Sequence, residues 1–166
     1  MNNLITQDII EILQYRIQQE EQSARLYEQM SLYLNNEGYI NSSKYWKKYA
    51  EDEMSHAGWS KEYLLSFGIM PQLPDLDSPS GEFNGLPDVF RKTYDHEVLV
   101  SNQCKELGKK AMESGDFILF TLAQKYNSEQ LEEMGNVTTM LDLLKTFGEE
   151  KHTLLLLDSH IEHYLA

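Results

Sequence analysis

Apolar residues recur along this chain in alternating steps of four and three, the spacing that keeps one stripe of a helix turned inward. The first stripe reads Leu13, Ile17, Glu20, Ala24, Tyr27, Ser31, Leu34. Thr6 can cap this helix, Asp8 suits its first turn, and Asn35-Asn36-Glu37-Gly38 is a turn signal at its end. A second helix is expected from about Tyr39 to Phe67, with Tyr39, Ser42, Trp46, Tyr49, Glu53, His56, Ser60, Tyr63, Leu64 and Phe67 along its seam and Gly68 after it. Pro87 suits the first turn of a third helix, whose stripe is Phe90, Thr93, Glu97, Val100, Cys104, Leu107, Ala111. Ser114-Gly115-Asp116 makes the next turn, and Asp116 can cap a fourth helix with Leu119, Ala123, Tyr126, Gln130, Glu133, Val137, Met140, Leu144 inward. Gly148 breaks it. A shorter amphipathic segment from Glu149 to Leu165, with Leu154, Leu155, Leu157, Ile161 and Leu165 as its apolar face, is expected to pack on a bundle end or on a neighbouring subunit.

Between the second and third helices, residues 69–86 carry Pro71, Pro74, Pro79, Gly81 and Gly85 without periodicity. Extended at about 3.3 Å per residue, such a stretch covers roughly 60 Å, enough to run back along a long helix and start the next one parallel to it. The other connections are short. Four long helices with a single long crossover give an all-α, ferritin-like four-helix bundle with a short fifth C-terminal helix. The expected domain organisation is one domain over residues 1–166, the bundle at about 6–147 and the last helix at about 149–165.

Each stripe is broken by acids near its middle: Glu20, then Glu53 with His56, then Glu97, then Gln130 with Glu133. In a bundle of helices of similar length, mid-helix positions share a level whichever way each helix points. Buried carboxylates facing one another repel, and each ion is expensive to desolvate, so the natural escape is a pair of bridged cations. Glu53 and His56, three residues apart, project from one face and can grip one ion together. The expected geometry is Glu20, Glu53 and His56 on one metal and Glu53, Glu97 and Glu133 on the other, with Glu53 bridging. Gln130 is expected to reach the first metal or to hold a water near it. Carboxylates with one imidazole suit iron or manganese. His96, His152, His160 and His163 lack such company and read as surface or helix-packing residues.

Composition adds limits. The 166 residues are 41% hydrophobic, with 9 Gly and 4 Pro, as in an ordinary globular domain. Lys and Arg number 14 against 27 acids, a net charge of -13, which disfavours nucleic acid and anionic lipid as partners and concentrates cations. One cysteine, Cys104, excludes an intrachain disulfide and a Cys-based zinc site. The opening Met1-Asn2-Asn3-Leu4-Ile5 lacks the basic segment and apolar core of a signal peptide, so a cytoplasmic location is expected.

Glu20 seven residues before Tyr27, the run Glu53-Met54-Ser55-His56, Tyr94-Asp95-His96-Glu97 and Ser128-Glu129-Gln130-Leu131-Glu132-Glu133 together resemble the ferritin family, specifically its haem-free bacterial members. The resemblance extends from about Leu4 to the final segment. It implies iron storage with ferroxidase activity: two Fe(II) per subunit oxidised by dioxygen or hydrogen peroxide at catalytic Glu20, Glu53, His56, Glu97 and Glu133, and the product kept inside a homo-oligomeric shell of twenty-four. It implies that Tyr27 stands beside the metal pair, where it tunes it or donates an electron. It also implies a third iron nearby, held by Glu129 and Glu132 with Glu133, and by Asp52 where the family often has Glu. Gln130-x-x-Glu133 in place of a second Glu-x-x-His separates the chain from bacterioferritins and rubrerythrins. Met54 matches the haem-ligating position of bacterioferritins, and its sulfur reads as ordinary packing. The alternatives are a di-iron oxidase or peroxidase of the same superfamily, or a non-catalytic storage subunit.

Overall fold

Five helices account for the described residues, 5–165, of a computed structural model: α1 (Gln7–Asn36), α2 (Ile40–Ser66), α3 (Gly85–Ser114), α4 (Phe117–Phe147) and α5 (Lys151–Tyr164). Residues 1–4, on which the expectation of no targeting segment rests, lie outside the described residues, as does residue 166. Every residue of the α1, α3 and α4 stripes is buried; on α2 only Phe67, which follows the helix, is partly exposed. None of the described helices is long and apolar enough to cross a membrane.

The core has two apolar halves. Tyr27, Met30, Leu34, Trp46, Phe90, Val137, Met140 and Leu144 fill one, and Leu13, Ile17, Tyr63, Leu64, Val100, Leu107, Leu119 and Ala123 fill the other. The first half takes the late residues of α1 and α4 and the early residues of α2 and α3. α2 and α3 therefore run the same way, which only a long connection permits.

That connection lies along α1. Gln14, Gln18 and Gln22, one turn apart on a single face, hold it by backbone bonds. Gln72 N donates to Gln14 Oε1 at 3.1 Å, Gln18 Nε2 to Asp75 O at 3.1 Å, and Asp77 N to Gln22 Oε1 at 2.9 Å. A loop without periodicity thus has its backbone groups satisfied by a row of side-chain amides.

Helix ends follow the expected chemistry in part. Asp116 caps α4, accepting from Ile118 N at 3.0 Å and Leu119 N at 2.9 Å. Gly115 closes α3 at φ 67°, in the left-handed region that costs glycine nothing. Thr6 stands at the start of α1 but its side chain makes no capping bond. The start of α2 is capped from elsewhere: Asp158 of α5, buried, accepts from Ser42 N at 2.7 Å and Asn41 N at 3.3 Å. α5 packs on the bundle end through Leu154, Leu157, Ile161 and Leu165. Leu155, expected on that face, is 44% exposed, because it lies one residue (about 100°) round the helix from Leu154.

Candidate metal centre

Between the two apolar halves lies one polar layer. Glu20 from α1, Glu53 and His56 from α2, Glu97 from α3 and Gln130 and Glu133 from α4 are all at most 6% exposed. Their ligand atoms gather in overlapping groups, each spanning no more than 4.8 Å: Glu20, Glu53 and His56; Glu53, Glu97 and Glu133; and His56, Glu129 and Glu133. The first two share Glu53, so the side chain that stands between the groups is the one with carboxylate oxygens to offer both.

His56 is at the centre of the first group. Its Nδ1 is 3.1 Å from Glu53 Oε2, 3.7 Å from Glu133 Oε1 and 3.8 Å from Glu20 Oε2, while Nε2 is 3.6 Å from Glu129 Oε1. Burial pulls the imidazole pKa down, but the hydrogen bond and charge of Glu53, with Glu129 and Asp52, outweigh it and hold the group above its ordinary value. A protonated His56 supplies one positive charge that the acids lack without an ion. The ring is fixed from behind: Trp59 lies tilted against it, centroids 4.6 Å apart, and Tyr126 donates to the His56 carbonyl at 2.7 Å.

The second group has less relief. Burial, then the charge of Glu53, pushes Glu97 well above the usual carboxylate range; burial, then Glu53 and Glu97, pushes Glu133 higher still. Glu97 is steadied by two donors. Tyr27 donates its hydroxyl to Oε1, and Gln130 Nε2 donates to Oε2 at 2.6 Å. Gln130, which the sequence suggests reaches the first metal or holds a water near it, has its amide on Glu97 of the adjacent helix α3. Tyr27 is itself fully buried, its hydroxyl held protonated by burial and by the charge of Glu97. Its ring lies flat on Tyr49, centroids 4.5 Å apart and planes 1° apart.

Among the buried carboxylate oxygens of this layer, one lacks a hydrogen bond. Glu53 Oε1 is buried with no hydrogen-bond partner among the described residues. An unpaired carboxylate oxygen in a dry interior is costly, and at the junction of the two groups it is the atom a cation would relieve.

Asp52, Glu129 and Glu132 line a cavity of about 90 Å³ beside this layer, together with Tyr45, Lys48, Tyr49, Glu133 and Asn136. Glu129 reaches His56; Asp52 and Glu132 are exposed and join none of the compact groups. Burial raises the Asp52 carboxyl although Lys48 opposes it. Met54 is 48% exposed on the outer face of α2, away from the polar layer. His152, His160 and His163 are on the surface, whereas His96 packs between α1 and α3, its Nε2 2.8 Å from Ser23 Oγ and its ring edge-on to Tyr27.

Arg16 was not anticipated. It is 1% exposed and ion-pairs with Glu20 one turn along α1. Its only signal in the sequence is a charged residue on a stripe flanked by Leu13 and Ile17, four positions before a seam acid.

A profile of the ferritin-like domain family matches residues 10–147. The chain is 29% identical to a bacterial non-heme ferritin of Escherichia coli over 95% of its length and 96% of that protein's. It is 28% identical to one of Campylobacter jejuni over 96% of each. Its fold superposes on an open pore ferritin of Archaeoglobus fulgidus with a TM-score of 0.91 at 29% identity, covering 95% of this chain and 96% of that one. With four helices, one crossover and a polar layer of converging acids, the chain belongs to the ferritin family.

Proposed function

We propose that this chain is an iron-storing ferritin with ferroxidase activity. It takes up Fe(II) at the polar layer, oxidises it to Fe(III) and passes the product to the inside of a homo-oligomeric shell of twenty-four subunits. The observation that carries this reading is the orphaned Glu53 Oε1 at the junction of the two ligand groups. One Fe(II) is held by Glu20, Glu53 and His56, the other by Glu53, Glu97 and Glu133, and Glu53 bridges. Hard, anionic oxygen donors favour Fe(III) over Fe(II), so the site itself promotes electron loss. Each ion gives up one electron. Dioxygen accepting both, with two protons, leaves as hydrogen peroxide; peroxide accepting two electrons and two protons leaves as two waters.

Other side chains keep the layer ready. Tyr27 and Gln130 hydrogen-bond to Glu97, and in this reading Tyr27 tunes the pair or lends an electron. Glu129, with Asp52 and Glu132 lining the adjoining cavity, offers a third ion a route or a resting place.

The test is aerobic addition of Fe(II) to the metal-free protein, followed in the near ultraviolet, with Glu53→Ala and His56→Ala beside wild type. Rapid oxidation by wild type that both variants lose supports the reading. Oxidation no faster than in buffer, or equal rates in all three, rejects it. Size-exclusion chromatography of the same sample checks for the shell.

A further inference from the structure

A fully buried arginine is rare and costs several kcal/mol unless it is paired and well hydrogen-bonded. Arg16 is 1% exposed and placed against one metal-binding candidate. Its guanidinium ion-pairs with Glu20 Oε1. Glu20 Oε2, the other oxygen, faces His56 Nδ1 at 3.8 Å on the side of the polar layer. The two oxygens of one carboxylate are thus divided between a permanent cation and the candidate ion site. Among the described residues, no other Lys or Arg pairs with an acid of this layer.

The guanidinium is not free to leave. Nη1 donates to Gln103 Oε1 of α3 at 2.8 Å, and Gln103 Nε2 is tied back to α1 through Gln19 Oε1 at 2.9 Å and the Tyr15 hydroxyl at 3.2 Å. Its carbon sits 5.3 Å from the centre of the Tyr126 ring of α4, the same tyrosine that donates to the His56 carbonyl. Glu20 of α1, Gln103 of α3 and Tyr126 of α4 hold the guanidinium, while its Nε finds no hydrogen-bond partner among the described residues. Lysine has no fork to be held this way.

We propose that Arg16 is a built-in competitor for Glu20, a braced guanidinium that keeps one carboxylate oxygen and leaves a divalent cation only the other. The inference rests on the site assigned above. Its consequence is inequality: the ion at Glu20, Glu53 and His56 meets a fixed positive charge on one of its ligands, and the ion at Glu53, Glu97 and Glu133 does not. The first is held more loosely and leaves more readily, which suits a site whose cargo must move on.

Zn(II), which takes no part in redox chemistry, is the probe, added to full-length metal-free protein near neutral pH and followed by calorimetry. Wild type is expected to bind two ions per subunit in a weaker and a tighter step. Arg16→Gln should tighten the weaker step by about tenfold or more, since a like charge near the ion is gone, and leave the tighter step little changed. Arg16→Lys, which keeps the charge but loses the fork that Gln103 braces, should tighten the weaker step by less than Arg16→Gln does. A purely structural Arg16 would instead lower the melting temperature of Arg16→Gln with and without Zn(II) and leave both affinities alone, which overturns the proposal. So does a weaker first step in Arg16→Gln. Should Arg16→Gln not fold, Gln103→Leu removes the brace and keeps the charge. Tightening of the weaker step there supports competition, and an unchanged step overturns it. Wild type that binds no Zn(II) at all would instead reject the assigned site.

Discussion

The Tyr27 hydroxyl donates to Glu97 from across the bundle, while its ring lies face to face with Tyr49 at 4.5 Å. The bond does most for Glu97 when that carboxylate is charged, and a hydrogen bond to a buried charge is worth about 1.5–3 kcal/mol. Tyr27→Phe should therefore cost the metal-free protein more stability in mildly alkaline buffer than in mildly acid buffer. Thermal melts of both proteins at the two pH values check this; an equal loss at both would place the contribution of Tyr27 in packing alone.

Glu53 raises the cost of Glu97 and Glu133 in the metal-free state and is itself incompletely satisfied. Glu53→Gln, close to the same shape without the charge, should melt higher than wild type when both are metal-free. With Zn(II) or Fe(II) present the order should reverse, because the variant gains little from the ion. Calorimetric melts with and without metal measure both halves of this trade.

Glu97 and Glu133 hold their protons above the ordinary carboxyl value of 4.5, and His56 holds its own above 6.5. All three shifts are upward, so the native metal-free chain binds more protons than the unfolded one in the window above those values. Stability from this layer is complete only below the ordinary carboxyl value of 4.5 and is lost progressively as the pH rises from there through neutrality. Metal binding displaces the protons and should flatten the profile. Urea midpoints across that range, with and without Zn(II), give the sign directly.

Asp158 caps α2 from a position 116 residues away in sequence. Asp158→Ala should cost about 1–2 kcal/mol, as loss of a helix cap does, or roughly 2–4 °C of melting temperature per kcal/mol. The early amides of α2, Asn41 and Ser42, should exchange faster with solvent, and Asp158→Asn should recover part of the loss.

How far the sequence carried depends on the range of the interaction. Stripes with a four-three spacing are local, and they disclosed α1 to α4, the glycine after each, the cap at Asp116 and the polar intruders at one level. Spacing within a helix also exposed Glu53 with His56 and Gln130 with Glu133. The partners that join distant parts were silent. Gln103 meets Arg16 across 87 residues, and no local pattern distinguishes that arginine from one that reaches out to solvent. Gln14, Gln18 and Gln22 look like an ordinary polar face until the crossover is laid on them. Leu155 misled because four leucines in a row cannot all face inward on a helix.

The polar layer also divides the protein as a mechanical object. Each apolar half closes around its own side chains, and what joins them at mid-height is a layer of crowded acids with one imidazole. The cation-free bundle is therefore expected to have a waist, where helix backbones open most easily. Cations held there should draw the four helices together at that height, which would make them a structural tie. Slow amide exchange confined to the two ends in the metal-free protein, and spreading through the middle of all four helices once Zn(II) is bound, would be its signature.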